Sequence, residues 1–326
     1  MISCAQRFFG VDSMARIARS EVFDHTETKW IFTECTAAHG RLLAAQQSTP
    51  SAELDERSAF IKKVISHFRQ YFAVKSIAYK FDDKSIKQLL QPQPHLAQQF
   101  SHEEVARRWL IICPSLRKYD APLDQPSEND VKRLCEDPDL IERIRDRLSD
   151  VAWWNRLLCQ RVAQHFNACD NLRGRFWEGR FHSTLLLDHL SRIACLASIG
   201  FADYSGGKAT TILEDVLAKS IQLHSNNVGQ SATHTTEAES LSMLEWTFQS
   251  NLGSTDNDLQ NIAISMFCQL GITATIWVPL VLDFRCHFSH IAGQLENMDR
   301  HVSRITRRKF FVRPQARRLL SRRSAA

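Results

Sequence analysis

The chain has 326 residues, of which 44% are hydrophobic and 24% charged, the balance of a soluble globular protein with one large or two smaller domains. Its net charge of +5 is a modest excess. The longest apolar run, Ile272–Phe284, is broken by Pro279 and stopped by Asp283, which excludes a membrane span there.

In chain order, Lys29–Thr36 (KWIFTECT) reads as a short strand. Leu54–Phe72 sets Phe60, Ile61, Val64, Ile65, Phe68 and Phe72 on one helical stripe with charges opposite. Val74–Phe81 and Ser85–Leu90 are strand-like runs around a polar Asp82-Asp83-Lys84 turn. Strand, helix, strand, strand predicts an α+β layer with an antiparallel sheet. Gln91–Phe100, marked by Pro92 and Pro94, reads as a loop.

Helices follow. Ser101 and Glu104 form a capping-box pattern, and Asp137 and Asp150 are the N-caps of the next two helices. Asp188–Phe201 is again helical in pattern, and the Ser/Thr/Asn-rich stretch Ser225–Thr236 is the expected domain boundary. Beyond it, Glu239–Phe248, Asp258–Gly271 and Trp277–Ala292 read as a small helical domain.

Nine scattered cysteines with no CxxC pair argue for reduced, packed thiols. The N-terminal stretch lacks the apolar core of a signal peptide, so a cytoplasmic location is expected. Cys286, His287 and His290 have half the spacing of a metal site, but the second half is missing, and structural zinc normally needs four ligands.

Two features point to a polyanion. Gly174–Ser183 (GRFWEGRFHS) interleaves Arg175 and Arg180, with Arg173 just before, among Phe176, Trp177 and Phe181. One reading is a twisted strand pair with a half-buried aromatic face; the other is a nucleic-acid surface, arginines on phosphates and aromatics on bases. The second feature is the basic run from Arg300 to Arg323, which includes Arg307, Arg308 and Lys309 and has no acidic residue after Asp299.

The series EVFDHTE, HEEVARRWLIICP, RIRDRLSDVAWWNRLLCQRVAQHFN, GRFWEGRFHSTLLLD, then LEWT and QLGI, resembles the REP-associated tyrosine transposases of the single-tyrosine HUH, insertion-sequence-200-like group. The resemblance implies a ferredoxin-like antiparallel sheet packed by helices over residues 20–224, a helical C-terminal domain over 237–310, and a basic tail over 311–326. It implies transposition chemistry on single-stranded or hairpin DNA in the cytoplasm, nucleoid-associated, with a homodimer allowed and no membrane partner. The family holds a divalent metal such as magnesium or manganese on a His-hydrophobic-His strand, and a helix tyrosine attacks the phosphate.

The matching positions differ here. Ser85 and Lys87 stand where the histidines would be, Ser198 where the tyrosine would be, and Ala202 where a further ligand would be. An ammonium at Lys87 would repel a divalent cation, although it could replace the metal's charge on a bound phosphate. No cofactor is therefore expected, and strand cleavage is expected to be lost. DNA contacts are expected at Arg107, Arg108, Arg173, Arg175, Trp177, Arg180, Arg307, Arg308 and Lys309. The alternatives are an active transposase that has recruited Tyr204 with His182 or His189, and a relic or scaffold without a DNA role.

Overall fold

The computed structural model describes residues 27–43, 52–114, 126–201, 246–247, 257–304 and 314–321. The chain is α+β and divides into two compact units, one spanning His25–His182 and the other containing the described residues from Ser183 onward. The expected boundary at 225–236 lies outside the described residues.

In the first unit, β1 (Trp30–Thr36), α1 (Ala52–Tyr71), β2 (Val74–Phe81) and β3 (Ser85–Pro92) follow one another as the sequence predicts. β3 pairs antiparallel with β1 on one side and with β2 on the other, so it is the middle strand. The β2–β3 connection is tight because Asp82 builds it. Its Oδ1 accepts from the backbone N–H of Lys84 (2.8 Å) and of Ser85 (2.7 Å), and its Oδ2 accepts from the Ser85 hydroxyl (2.9 Å). An aspartate side chain standing in for backbone is what makes so short a polar turn stable.

The predicted loop at Gln91–Phe100 is a correction. β3 runs on through Pro92, and Pro94–Gln99 is a short helix, α2, with Pro94 in its first turn. Proline fits there because the first helical N–H has no intrahelical acceptor and its φ is already helical. Then come α3 (His102–Ile112), α4 (Glu128–Cys135), α5 (Pro138–Ser149) and α6 (Val151–Cys169). The predicted caps form: Ser101 accepts from Glu104 N–H, Asp137 from Leu140 N–H and Asp150 from Ala152 N–H. Such a cap stabilises a helix by about 1 kcal/mol. α4 was not foreseen; Ser127 caps it by accepting from Asp130 N–H.

The core of this unit lies where α1 and α6 meet and cover the sheet. Phe68 of α1 and Phe72 just after it meet Trp154 of α6 edge-on, each with ring centroids 5.3 Å apart, and Phe68 and Trp154 are fully buried. Burying a side chain of that size stabilises by roughly 1.5–3 kcal/mol. A polar chain lies within this core. Trp154 Nε1 donates to Gln88 Oε1 (3.0 Å), Gln88 Nε2 donates to Asn155 Oδ1 (3.1 Å), and Asn155 Nδ2 donates to the carbonyl of Val151 (2.9 Å). Gln88 and Asn155 are fully buried, so these bonds fix how α6 sits on β3.

In the second unit, β4 (His182–Leu186) leads into α7 (His189–Phe201), followed by α8 (Asn257–Leu270), α9 (Ala274–Leu282), α10 (Phe284–His287), β5 (Ile291–Ala292), α11 (Leu295–Arg304) and α12 (Pro314–Leu320). β5 corrects the expectation of helix through Ala292. It pairs parallel with β4, Leu185 against Ile291 and Leu186 against Ala292. Two residues are too few to show an alternating pattern.

Asp188 ties the ends of this pair together. Its Oδ1 accepts from Ser191 N–H (2.9 Å), capping α7, and its Oδ2 accepts from Gln294 N–H (2.6 Å) and from Asn297 Nδ2 (2.8 Å). Gly293 permits the approach, because a Cβ there would fall 2.7 Å from Asp188 Oδ2. Among the described residues, no helix is long and apolar enough to cross a membrane. Among the described residues seven cysteines are free thiols, but Cys286 is disulfide-bonded, so the expectation of reduced thiols fails there; scattered spacing carries no information about proximity in space.

Candidate nucleic-acid interface

The segment between α6 and β4 holds the densest predicted contacts. Helix α6 ends at Cys169 with Asp170 as its C-cap; Asn171 beyond it is in the left-handed region at φ 50°, and Gly174 follows at φ 95°, a conformation suited to glycine. Asn167 Nδ2 holds this turn by donating to the Gly174 carbonyl at 3.1 Å. The expected strand pair does not form. In its place a single antiparallel bridge joins Trp177 to Ala37, with Ala38 N–H donating to the Phe176 carbonyl and Glu178 N–H to the Thr36 carbonyl, both at 2.8 Å. The turns around Gly174 and Gly179 leave too short an extended run for a hairpin, and the regular strand begins only at His182.

The side chains of this segment divide by chemistry. Phe176 is 2% exposed and meets Phe166 edge-on at 5.7 Å. Trp177 is half-buried, and its indole N–H donates to the carbonyl of Cys159 at 2.8 Å. Arg173, Arg175 and Arg180 are all exposed. Arg175 Nε turns back to the carbonyl of Trp177, and Arg41 reaches the carbonyl of Arg173 at 3.4 Å. Aromatic packing thus anchors the element while its guanidiniums face solvent.

Thr36, the residue that receives Glu178 N–H, is also the register partner of Ser85. The arginine segment and the Ser85 end of β3 therefore meet the same end of β1. Ser85 is buried, with both its amide and its hydroxyl donated to Asp82, a local structural use of that side chain. Lys87, two residues on and on the same face, is half-buried and lies between Glu34 of β1 and Lys80 of β2 in the register. Near the far end of β2, burial lowers the Lys75 pKa. Ser198 belongs to the second unit, half-buried on α7 between buried Ala197 and Ile199. Ala202, Tyr204, Arg307, Arg308 and Lys309 lie outside the described residues.

Arg107 and Arg108 have local partners. Arg107 donates to both oxygens of Glu128 at 2.7 Å, and this hydrogen bond, helped by the carboxylate charge, raises its pKa. Arg108 donates to Glu104 and to the carbonyls of Gln70 and Tyr71 at the end of α1, and lies over the Phe100 ring at 4.1 Å. Both side chains brace α3 against its neighbours.

Among the described residues, no group of three His, Cys, Asp or Glu side chains could hold a metal ion. Sequence reading passed over a further basic cluster on α3, α5 and α6, where Arg147 and Arg156 lie against Trp109 and Trp153. Its one sequence signal is the spacing of Trp153 and Arg156 on one face of α6. The chain matches no protein-family model, no curated protein and no solved structure.

Proposed function

We propose that this protein binds single-stranded or hairpin DNA through phosphate contacts, in the manner of a single-tyrosine HUH transposase that has lost strand cleavage. The observation that carries this reading is the division of labour in residues 173–180, with Phe176 and Trp177 turned inward and Arg173, Arg175 and Arg180 exposed on a braced turn. Exposed guanidiniums are suited to phosphate, and they position a strand without reading its bases. The loss of cleavage is supported by Ser85, whose hydroxyl serves the Asp82 turn, and by serine at the nucleophile position 198. A ferredoxin-like arrangement is supported by the chain order strand, helix, strand, strand, helices, strand and by the antiparallel β2–β3–β1 register. A cytoplasmic, nucleoid-associated location and a homodimer belong to the same proposal.

The test is a salt titration of hairpin and scrambled DNA. Affinity should fall with salt, and changing Arg173, Arg175 and Arg180 together to Gln should lower the log–log slope by about 2, at roughly 0.7 per single-strand phosphate. Deleting the basic tail should weaken all sequences alike. Salt-insensitive binding, or none at low salt, removes the proposal. A covalent adduct formed with magnesium or manganese and lost on Tyr204→Phe favours an active transposase instead.

A further inference from the structure

Helices α3, α5 and α6 place four side chains of one kind of chemistry together. The Arg147 guanidinium lies 4.7 Å from the ring centre of Trp153 and 5.6 Å from that of Trp109, and Arg156 lies 4.7 Å from Trp153. The two indoles meet edge-on, with centroids 5.6 Å apart. Arg156 is exposed, and Trp109, Trp153 and Arg147 are each partly exposed. Arg143, one turn before Arg147 on α5, is exposed as well.

What sets this cluster apart is how its charge is held. Arg107 and Arg108 on the same α3 have carboxylate partners, Glu128 and Glu104. Arg147 and Arg156 have none among the described residues. The carboxylate of Asp150, between them in sequence, caps α6 at Ala152. Two guanidiniums are thus held on indole faces by cation–π attraction, leaving their N–H groups unneutralised. Fixed, unpaired guanidiniums bind phosphate, and partly exposed indoles offer faces on which unstacked bases lie.

We infer that Arg147, Trp153, Arg156 and Trp109 form a binding site for single-stranded DNA, taking phosphates on the arginines and an unpaired base on the tryptophans. A duplex keeps its bases stacked and cannot present one to an indole. The inference extends the DNA-binding reading and depends on it for the choice of DNA.

The test is fluorescence anisotropy of full-length protein with a labelled oligothymidylate, the same backbone carrying abasic sites, and a blunt duplex. Arg156→Gln alters an exposed side chain, so folding should survive, which a thermal melt verifies. It should lower the salt slope by about 0.7 on both single strands, one phosphate contact. Trp153→Leu should weaken oligothymidylate binding by about tenfold, the loss of one stacked base, with a smaller effect on the abasic strand. An unchanged slope in Arg156→Gln, or an equal loss on both strands in Trp153→Leu, overturns the site. If these variants are silent while Arg173, Arg175 and Arg180 changed to Gln abolish binding, the inference fails and the proposed function stands. If the unaltered protein binds no DNA at low salt, both fall.

Discussion

Replacing Asn155 with Leu tests whether the polar chain in the first unit holds α6 on the sheet. Leucine has the same number of side-chain heavy atoms as asparagine and the same branching, so the main change is chemical. Gln88 Nε2 loses its 3.1 Å acceptor in a fully buried position, while Val151 loses only a second donor to a helix carbonyl. An orphaned buried donor costs about 1–3 kcal/mol, so Asn155→Leu should destabilise by about 2 kcal/mol. Gln88→Leu should cost more, because it orphans Trp154 Nε1 and leaves Asn155 Oδ1 with only the weak thiol donor of Cys35 at 3.9 Å. In the double variant the Trp154 indole is the one group of this chain of bonds left unpaired, so the combined loss should fall short of the sum by at least about 2 kcal/mol. Urea unfolding reads this directly: with a slope near 2 kcal/mol/M, Asn155→Leu should lower the midpoint by about 1 M. Strict additivity of the two changes would show that the amides do not act as a unit and would refute the reasoning.

Other expectations follow from local contacts. Asp82→Ala removes three hydrogen bonds at the β2–β3 turn and should destabilise by about 1–2 kcal/mol in a urea melt; an unchanged midpoint would mean that the Ser85 hydroxyl is not engaged there. Trp177→Phe keeps an aromatic ring but drops the indole bond to Cys159, so stability should fall by about 1 kcal/mol, and affinity for DNA should fall with it if that bond braces the arginine turn. Burial, followed by the charge of Glu103, raises the Cys135 pKa, so this thiol stays protonated at pH values where an ordinary cysteine has begun to ionise. Its alkylation should therefore begin at higher pH than that of a model thiol, and Glu103→Gln should shift the profile partway back, as followed by peptide mass mapping.

The strands and helix from Trp30 to Leu90 were legible because short strand-like runs set off by a polar turn and the 3.6-residue stripe are local signals, and the core uses both, the strands being buried along most of their length. The caps at Ser101, Asp137 and Asp150 were legible for the same reason, since each acts within three residues. Pro94 misled because the same residue marks a loop and opens a helix, and only its surroundings distinguish the two. The interleaved arginines and aromatics at 173–180 were visible, but not that their backbone would form one bridge in place of a strand pair. The cluster of Trp109, Arg147, Trp153 and Arg156 was hidden because three separate helices supply it. No spacing along the chain encodes how three helices pack.

Asp188 has a consequence for how the second unit could be made. It reaches across more than a hundred residues of sequence to hold Gln294 and Asn297, beside the parallel pairing of Leu185 with Ile291 and the bond from the Thr184 hydroxyl to the Ser289 carbonyl. These links do not use the chain that connects α7 to α8. Two separate polypeptides, one ending after α7 and the other starting before Trp246, which packs edge-on against Phe267 of α8, would still carry both sides of these links. Co-expressed, they should associate into a working whole, and Asp188→Ala in the first piece should weaken that association.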